Sequence, residues 1–155
     1  MARGDFTVFN EFVVSLAEKK VNLETDTIKL ALITNGVTPA VDDATPYFGA
    51  GSGVDYDTNE VSAAGGYDAG GFIIPGPVFT RTGAVGKFDD DGTNIAMVQD
   101  AINGFTNAYW GILYSDTATN KECIGFLNLG GPISEAAGPI SITWNTSGIL
   151  TITRT

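Results

Sequence analysis

Apolar positions along the chain fall into short runs, spaced as on a helix near the start and alternating every second residue further on. Phe6, Phe9, Val13 and Leu16 recur at helical spacing, and Phe12 widens that stripe. Asp5 stands where a side-chain oxygen accepts from the first free N–H groups of a helix. Glu11 and Glu18 fall away from the stripe, and Lys19 and Lys20 suit the negative end of the helix dipole. The pattern predicts a helix over residues 6–19. Its apolar face either docks on a partner or caps the chain's own core.

Thr27 to Thr34 alternates, with Ile28, Leu30 and Leu32 on one face and Thr27, Lys29 and Ala31 on the other, and Asn35-Gly36 closes the run with a turn. The period then fades over residues 36–77. Eight of the 20 glycines lie between Gly49 and Gly76, among Asp55, Asp57 and Asp68, with short strands expected near Glu60–Val61 and Phe72–Ile74. A segment of this composition reads as irregular and mobile in the free protein, because ordering its backbone costs about 1–2 kcal/mol per residue.

From residue 78 to 155 the pattern is that of a β core. Val78–Phe88 and Thr93–Val98 flank Asp89-Asp90-Asp91-Gly92, whose Asp-Gly step predicts a hairpin. Phe105 to Tyr114 is apolar on both faces, which marks a central strand or one that also meets a partner. Cys123–Leu129 follows a polar turn. Ile140, Ile142 and Trp144 then alternate with Ser141, Thr143 and Asn145, and Leu150 and Ile152 with Thr151 and Thr153, across a turn at 145–148. About seven or eight strands at such spacing predict a single mainly-β domain, an antiparallel sandwich or jelly-roll-like barrel with one N-terminal helix.

Composition narrows the function classes. Eighteen acids against eight bases give a formal net charge of -10. Such a chain repels nucleic acid and anionic membrane surfaces, which attract clustered Lys and Arg. No histidine is present, so histidine-dependent triads and His-bearing zinc sites are excluded, and the single Cys123 excludes an internal disulfide and an all-cysteine zinc site. Cys123 lies in an apolar run and reads as a small buried hydrophobe. No stretch has the pattern of a secretory leader or the length of a membrane span. Gly83-Ala84-Val85-Gly86-Lys87-Phe88 has the wrong glycine spacing for a phosphate loop, and Phe88 stands where a magnesium-binding hydroxyl belongs. Asp89 to Asp91 lack the spaced ligands of a calcium loop and read as a solvated turn. With no cofactor and no catalytic or metal-binding residues indicated, the residues read as a non-enzymatic protein.

Several segments together resemble a family of small virion proteins of tailed phages. They are Phe9-Asn10-Glu11-Phe12, Asp26 through Leu32, Gly66-Tyr67-Asp68-Ala69-Gly70-Gly71, Trp110 through Ala118, and Ile142 through Leu150, in the same order from end to end. The resemblance implies a capsid decoration, or cement, protein made in the host cytoplasm and set on the outer surface of the virion. There it would bridge major capsid subunits, commonly as a homotrimer. Phe6, Phe9, Phe12, Tyr47, Phe48 and Tyr67 are the expected shell-contact or oligomer-interface residues. Deleting Met1 to Phe9 is then expected to leave a folded β domain that binds particles poorly. The alternatives are a tail-associated or receptor-contacting virion protein, and a carbohydrate-binding sandwich presenting Tyr47, Phe48, Tyr56 and Tyr67 as sugar platforms.

Overall fold

The computed structural model of the protein describes residues 1–154. It is mainly β, with several antiparallel sheets and one α-helix. Strand β1 (Phe6–Val8) leads into helix α1 (Asn10–Ala17) and then β2 (Ile28–Ile33). Two short strands, β3 (Pro46–Tyr47) and β4 (Val54–Asp55), precede a 3-10 turn at Tyr56–Asn59 and β5 (Phe72–Ile73). Next come β6 (Val78–Thr82), β7 (Val85–Asp89) and β8 (Ile95–Met97). The long strands β9 (Ala108–Ser115) and β10 (Cys123–Ile133) follow, then β11 (Ile140–Ile142) and β12 (Leu150–Thr153).

The principal sheet has five strands in the order β1-β10-β9-β2-β5. Strand β9 is apolar on both faces because it runs between β10 and β2 in a sheet covered on both sides. Leu30 and Leu113, directly opposite, face one apolar cluster, and Ala31 and Ile112 face the other. The larger cluster is closed by Phe12, by Phe88 and Leu150 of the β12-β7-β6 sheet, and by Ile95, Met97 and Ile142 of the β11-β8 pair. The smaller one gathers Phe9, Phe48, Tyr56, Tyr114, Cys123 and Phe126. Cys123 is buried, as its apolar run predicts.

The helix is shorter than its stripe. Residues 6–8 pair with β10 instead, Thr7 opposite Phe126, because the sheet offers an edge whose hydrogen bonds outweigh the helical preference of three residues. Asp5 does not cap α1: its Oδ2 accepts the Ala2 N–H at 2.6 Å, and the helix begins after Phe9 with no side-chain cap. The deletion expectation changes accordingly. Removing Met1 to Phe9 strips a strand and takes Phe9, fully buried between Tyr56 and Phe126, out of the core.

Residues 36–77 are also more deeply engaged than their composition suggests. Phe48, Tyr56, Val61, Tyr67 and Ile74 are buried, and the amides of Val61 and Ile74 donate to the carbonyls of Leu32 and Ile28 on β2. The segment therefore belongs to the fold, held by isolated anchors with glycine turns between them, a pattern that has no period to detect. The Val61 and Ile74 amides are expected to exchange slowly in the free protein, near the rate of the β9 amides. Exchange as fast as that of an open loop, read by NMR, would contradict this docking.

Two hairpins expected from turn chemistry do not form. Val78–Phe88 is itself a hairpin, β6 and β7, turning at Gly83 with φ +61°. After Asp89-Gly92 the chain does not return along β7; β8 pairs with β11 and β12 pairs with β7, so β11 and β12 are not partners either. The acidic run supplies local caps, Asp90 accepting from Gly92 and Asp91 from Thr93. Turn residues set where the chain bends. The destination of each strand is set by where its apolar residues find cover, here Ile95 and Met97 against Ile142 and Ile140.

Candidate functional site

Strand β1 is the outer strand of the principal sheet. Asp5 accepts from Asn128 and Phe9 donates to Ile124, so the odd-numbered residues turn their backbone groups toward β10. The alternation of an antiparallel ladder then turns the N–H and C=O groups of Phe6 and Val8 away from β10, onto a free edge. Over the face of the sheet where β1 meets β10 lies a groove of about 580 Å³. One wall is Arg3 to Thr7; the other is β11 with Trp144; Leu127, Leu129 and Ile149 form the floor. Phe6 meets Trp144 edge-on, with ring centroids 5.9 Å apart. The indole Nε1 of Trp144 is buried and has no hydrogen-bond partner. A buried donor left unpaired costs about 1–3 kcal/mol.

A separate, apolar hollow opens where α1 ends, lined by Leu16, Val21, Leu23, Phe79 and Ile152. Phe79 and Ile152 are 39% and 43% exposed, and Val78 beside them is 41% exposed, so the β6–β7 hairpin presents apolar side chains to solvent. The hollow shares no lining residue with the groove. Val98 and Ile102 form a third exposed apolar point, on a turn where Asp100 accepts from the amides of Ile102 and Asn103.

Most of the aromatic residues expected at a contact surface are elsewhere. Phe9, Phe12, Phe48, Tyr56 and Tyr67 are buried in the protein's own interior, and Tyr47 is half-buried. Only Phe6 of the expected set lines the groove. Phe48 stacks on Tyr114 at 4.4 Å, so neither Phe48, Tyr56 nor Tyr67 offers a flat exposed face to a sugar ring. Trp144, missed as a contact residue, carries a weak signal in the sequence: an aromatic with a polar N–H closing an alternating strand.

The tyrosines hold the irregular segment to the sheet. Tyr67 Oη donates to Glu60 Oε1 at 2.6 Å and accepts the Leu32 N–H at 2.9 Å. Glu60 Oε1 also accepts the Gly70 N–H, and Tyr114 Oη donates to the Gly70 carbonyl at 2.7 Å. Tyr56 donates to Asp43. Burial pushes all three phenols above the ordinary tyrosine range, helped by Asp43 at Tyr56, Glu60 at Tyr67 and Asp116 at Tyr114. At Asp116 burial works against the charge, but the bonds from Lys29 at 2.8 Å and Lys121 at 3.2 Å prevail and lower its pKa.

These shifts have a definite sign. A phenol held protonated in the fold but free to ionise when unfolded contributes stability that is complete below pH about 10 and is lost as pH rises past it. Tyr56, Tyr67 and Tyr114 are expected to ionise only as the chain unfolds in alkali. An absorbance titration run beside circular dichroism checks this, and early ionisation of all five tyrosines with the fold intact would contradict the network.

The arrangement defines a mainly-β, sandwich-like protein with an open groove over the face of one sheet and a separate apolar hollow. Among the described residues no group of His, Cys, Asp and Glu is placed to hold a metal ion, and no helix is long and apolar enough to cross a membrane. No protein family, curated protein or solved structure was found to match the chain.

Proposed function

We propose that this protein is a capsid decoration protein: a non-enzymatic component of a tailed-phage head that bridges major capsid subunits on the outer surface of the shell. The observation that carries the reading is the pair of separate openings on one β framework, the β1–Trp144 groove with its mixed polar and apolar lining and the apolar Leu16–Phe79–Ile152 hollow. A bridging protein needs two seats; a catalyst needs one cleft with reactive groups in it. The sequence resemblance supplies the virion context, and the net charge of -10 suits a face turned away from packaged DNA.

Docking is mainly apolar and through backbone groups. A large apolar side chain is worth about 1.5–3 kcal/mol when fully buried, and that gain tolerates salt. Charge repulsion between free copies opposes association in solution, so the trimer implied by the resemblance forms on the shell. Quantitative mass spectrometry of purified virions tests the reading. Copies in number comparable to the shell subunits, retained after a high-salt wash, are expected. A few copies per particle would move the protein to the tail or a vertex, as a host-contacting component. Selective binding on a glycan array would favour the carbohydrate reading, although three of its four expected platforms, Phe48, Tyr56 and Tyr67, lie within the core.

A further inference from the structure

Val98 and Ile102 are 85% and 92% exposed, the two most exposed large apolar side chains among the described residues. They project from a turn that is held in place. Asp100 Oδ1 accepts the amides of Ile102 at 3.0 Å and Asn103 at 2.8 Å. The Gly104 N–H donates to the Asp100 carbonyl at 2.9 Å, and the Gln99 side chain donates to the Ala136 carbonyl at 3.1 Å. A Cβ on residue 104 would lie 2.4 Å from that Asp100 oxygen, so the turn closes with glycine there. Two apolar side chains displayed on a fixed turn do nothing for the lone molecule, but they meet a partner with little ordering cost.

The same chain carries a seat for them. The hollow between the end of α1 and the β6–β7 hairpin has a volume of about 670 Å³ and walls of Leu16, Val21, Leu23, Phe79 and Ile152. Its charge fits as well. Residues 16–24, 78–89 and 150–154, which build it, hold five of the eight bases, Lys19, Lys20, Arg81, Lys87 and Arg154, against three acids, Glu18, Glu24 and Asp89. Arg81 lies on the same face of β6 as Phe79, two residues along. Residues 90–104 hold Asp90, Asp91 and Asp100 and no base. On a chain of net charge -10, this hollow is where an acidic segment is received and not repelled. We infer that the hollow of one copy receives the Val98–Ile102 turn of a second copy, its Asp100 set among the bases of the rim. The contact joins unlike surfaces, so it runs head to tail, as a closed ring requires. It rests on the decoration reading for the homotrimer: the groove then holds the shell, the hollow holds the neighbouring copy, and bridging runs through the joined copies.

The test uses the full chain in salt that screens its net charge. Sedimentation at rising protein concentration is expected to show self-association. Ile102→Ser, which alters an exposed side chain, should weaken it about tenfold or more. Phe79→Ser should do the same from the other side of the contact. Mixed at a concentration where neither variant associates alone, the two should form a dimer that grows no further, because one intact turn meets one intact hollow. Hydrogen exchange on the unaltered chain serves if Phe79→Ser fails to fold. Association should slow amides in both 19–24 and 98–103. Three results would overturn the proposal: a chain that stays monomeric, association untouched by Ile102→Ser, or slowing confined to one of the two segments. A monomeric chain whose virions still carry salt-resistant copies loses this contact and keeps the decoration reading. Self-association as expected, with no copies on virions, keeps the contact and removes the decoration reading.

Discussion

Gly71→Ala is expected to lower stability by about 3 kcal/mol or more, combining the cost of a left-handed backbone for an L residue with overpacking against fixed atoms. Gly71 has φ +81°, and a Cβ placed there would lie 2.2 Å from the Leu30 carbonyl oxygen and 2.6 Å from Ala31 Cα. Both obstacles are backbone of β2, an inner strand of the principal sheet, and neither can swing aside. Relief requires β5 to lift, which breaks the pairing of Phe72 with Leu30 and draws Tyr67 away from the Leu32 amide. Urea unfolding measures the change. A loss below about 0.5 kcal/mol, the range of an ordinary surface substitution, would show that the segment does not sit against the sheet.

Phe126→Ala is expected to cost about 3–5 kcal/mol, the usual penalty for removing a large aromatic group from a closed core. The Phe126 ring lies 5.0 Å from that of Phe9 and 6.1 Å from that of Trp110, on the face of β10 opposite Leu127. Its cluster is completed by Phe9, by β2 and β9, and by the 37–56 stretch, which have little freedom to close the void. The same unfolding assay reads the effect. A small loss would mean that the second face of the sheet is loosely covered, and that Phe9 is available to a partner after all.

The long apolar runs were the legible part of this fold. Residues 105–114 announce a strand covered on both faces, and 27–34 announce its neighbour, because every second side chain must meet a separate apolar layer. What escaped detection was decided between distant segments. The stripe at Phe6, Phe9 and Phe12 has helical spacing, yet Phe6 lies on a strand and Phe9 at its end, because the edge of β10 is available 120 residues on. Tyr67 and Phe48 read as exposed aromatics in a glycine-rich stretch, and nothing local reveals that the Leu32 amide and the Tyr114 ring await them. Asp91-Gly92 bends the chain as expected, but a dipeptide carries no information on which strand follows which in a sheet.

The candidate site was legible only in part, for a related reason. Its one expected member, Phe6, belongs to an apolar stripe, whereas Trp144, Ile140 and Leu129 sit in strand patterns that look like core. A groove is the gap between two layers, and its lining residues look like interior residues until the layers are seen to stop short of each other.

The measurement that bears most directly on the decoration proposal is a heat challenge of virions with and without this protein. Particles lacking it are expected to assemble and fill normally, but to release DNA at a lower temperature, and adding back purified protein should restore the higher one. Release at the same temperature with and without the protein would contradict a cementing role and leave the tail or host-contact assignment in its place.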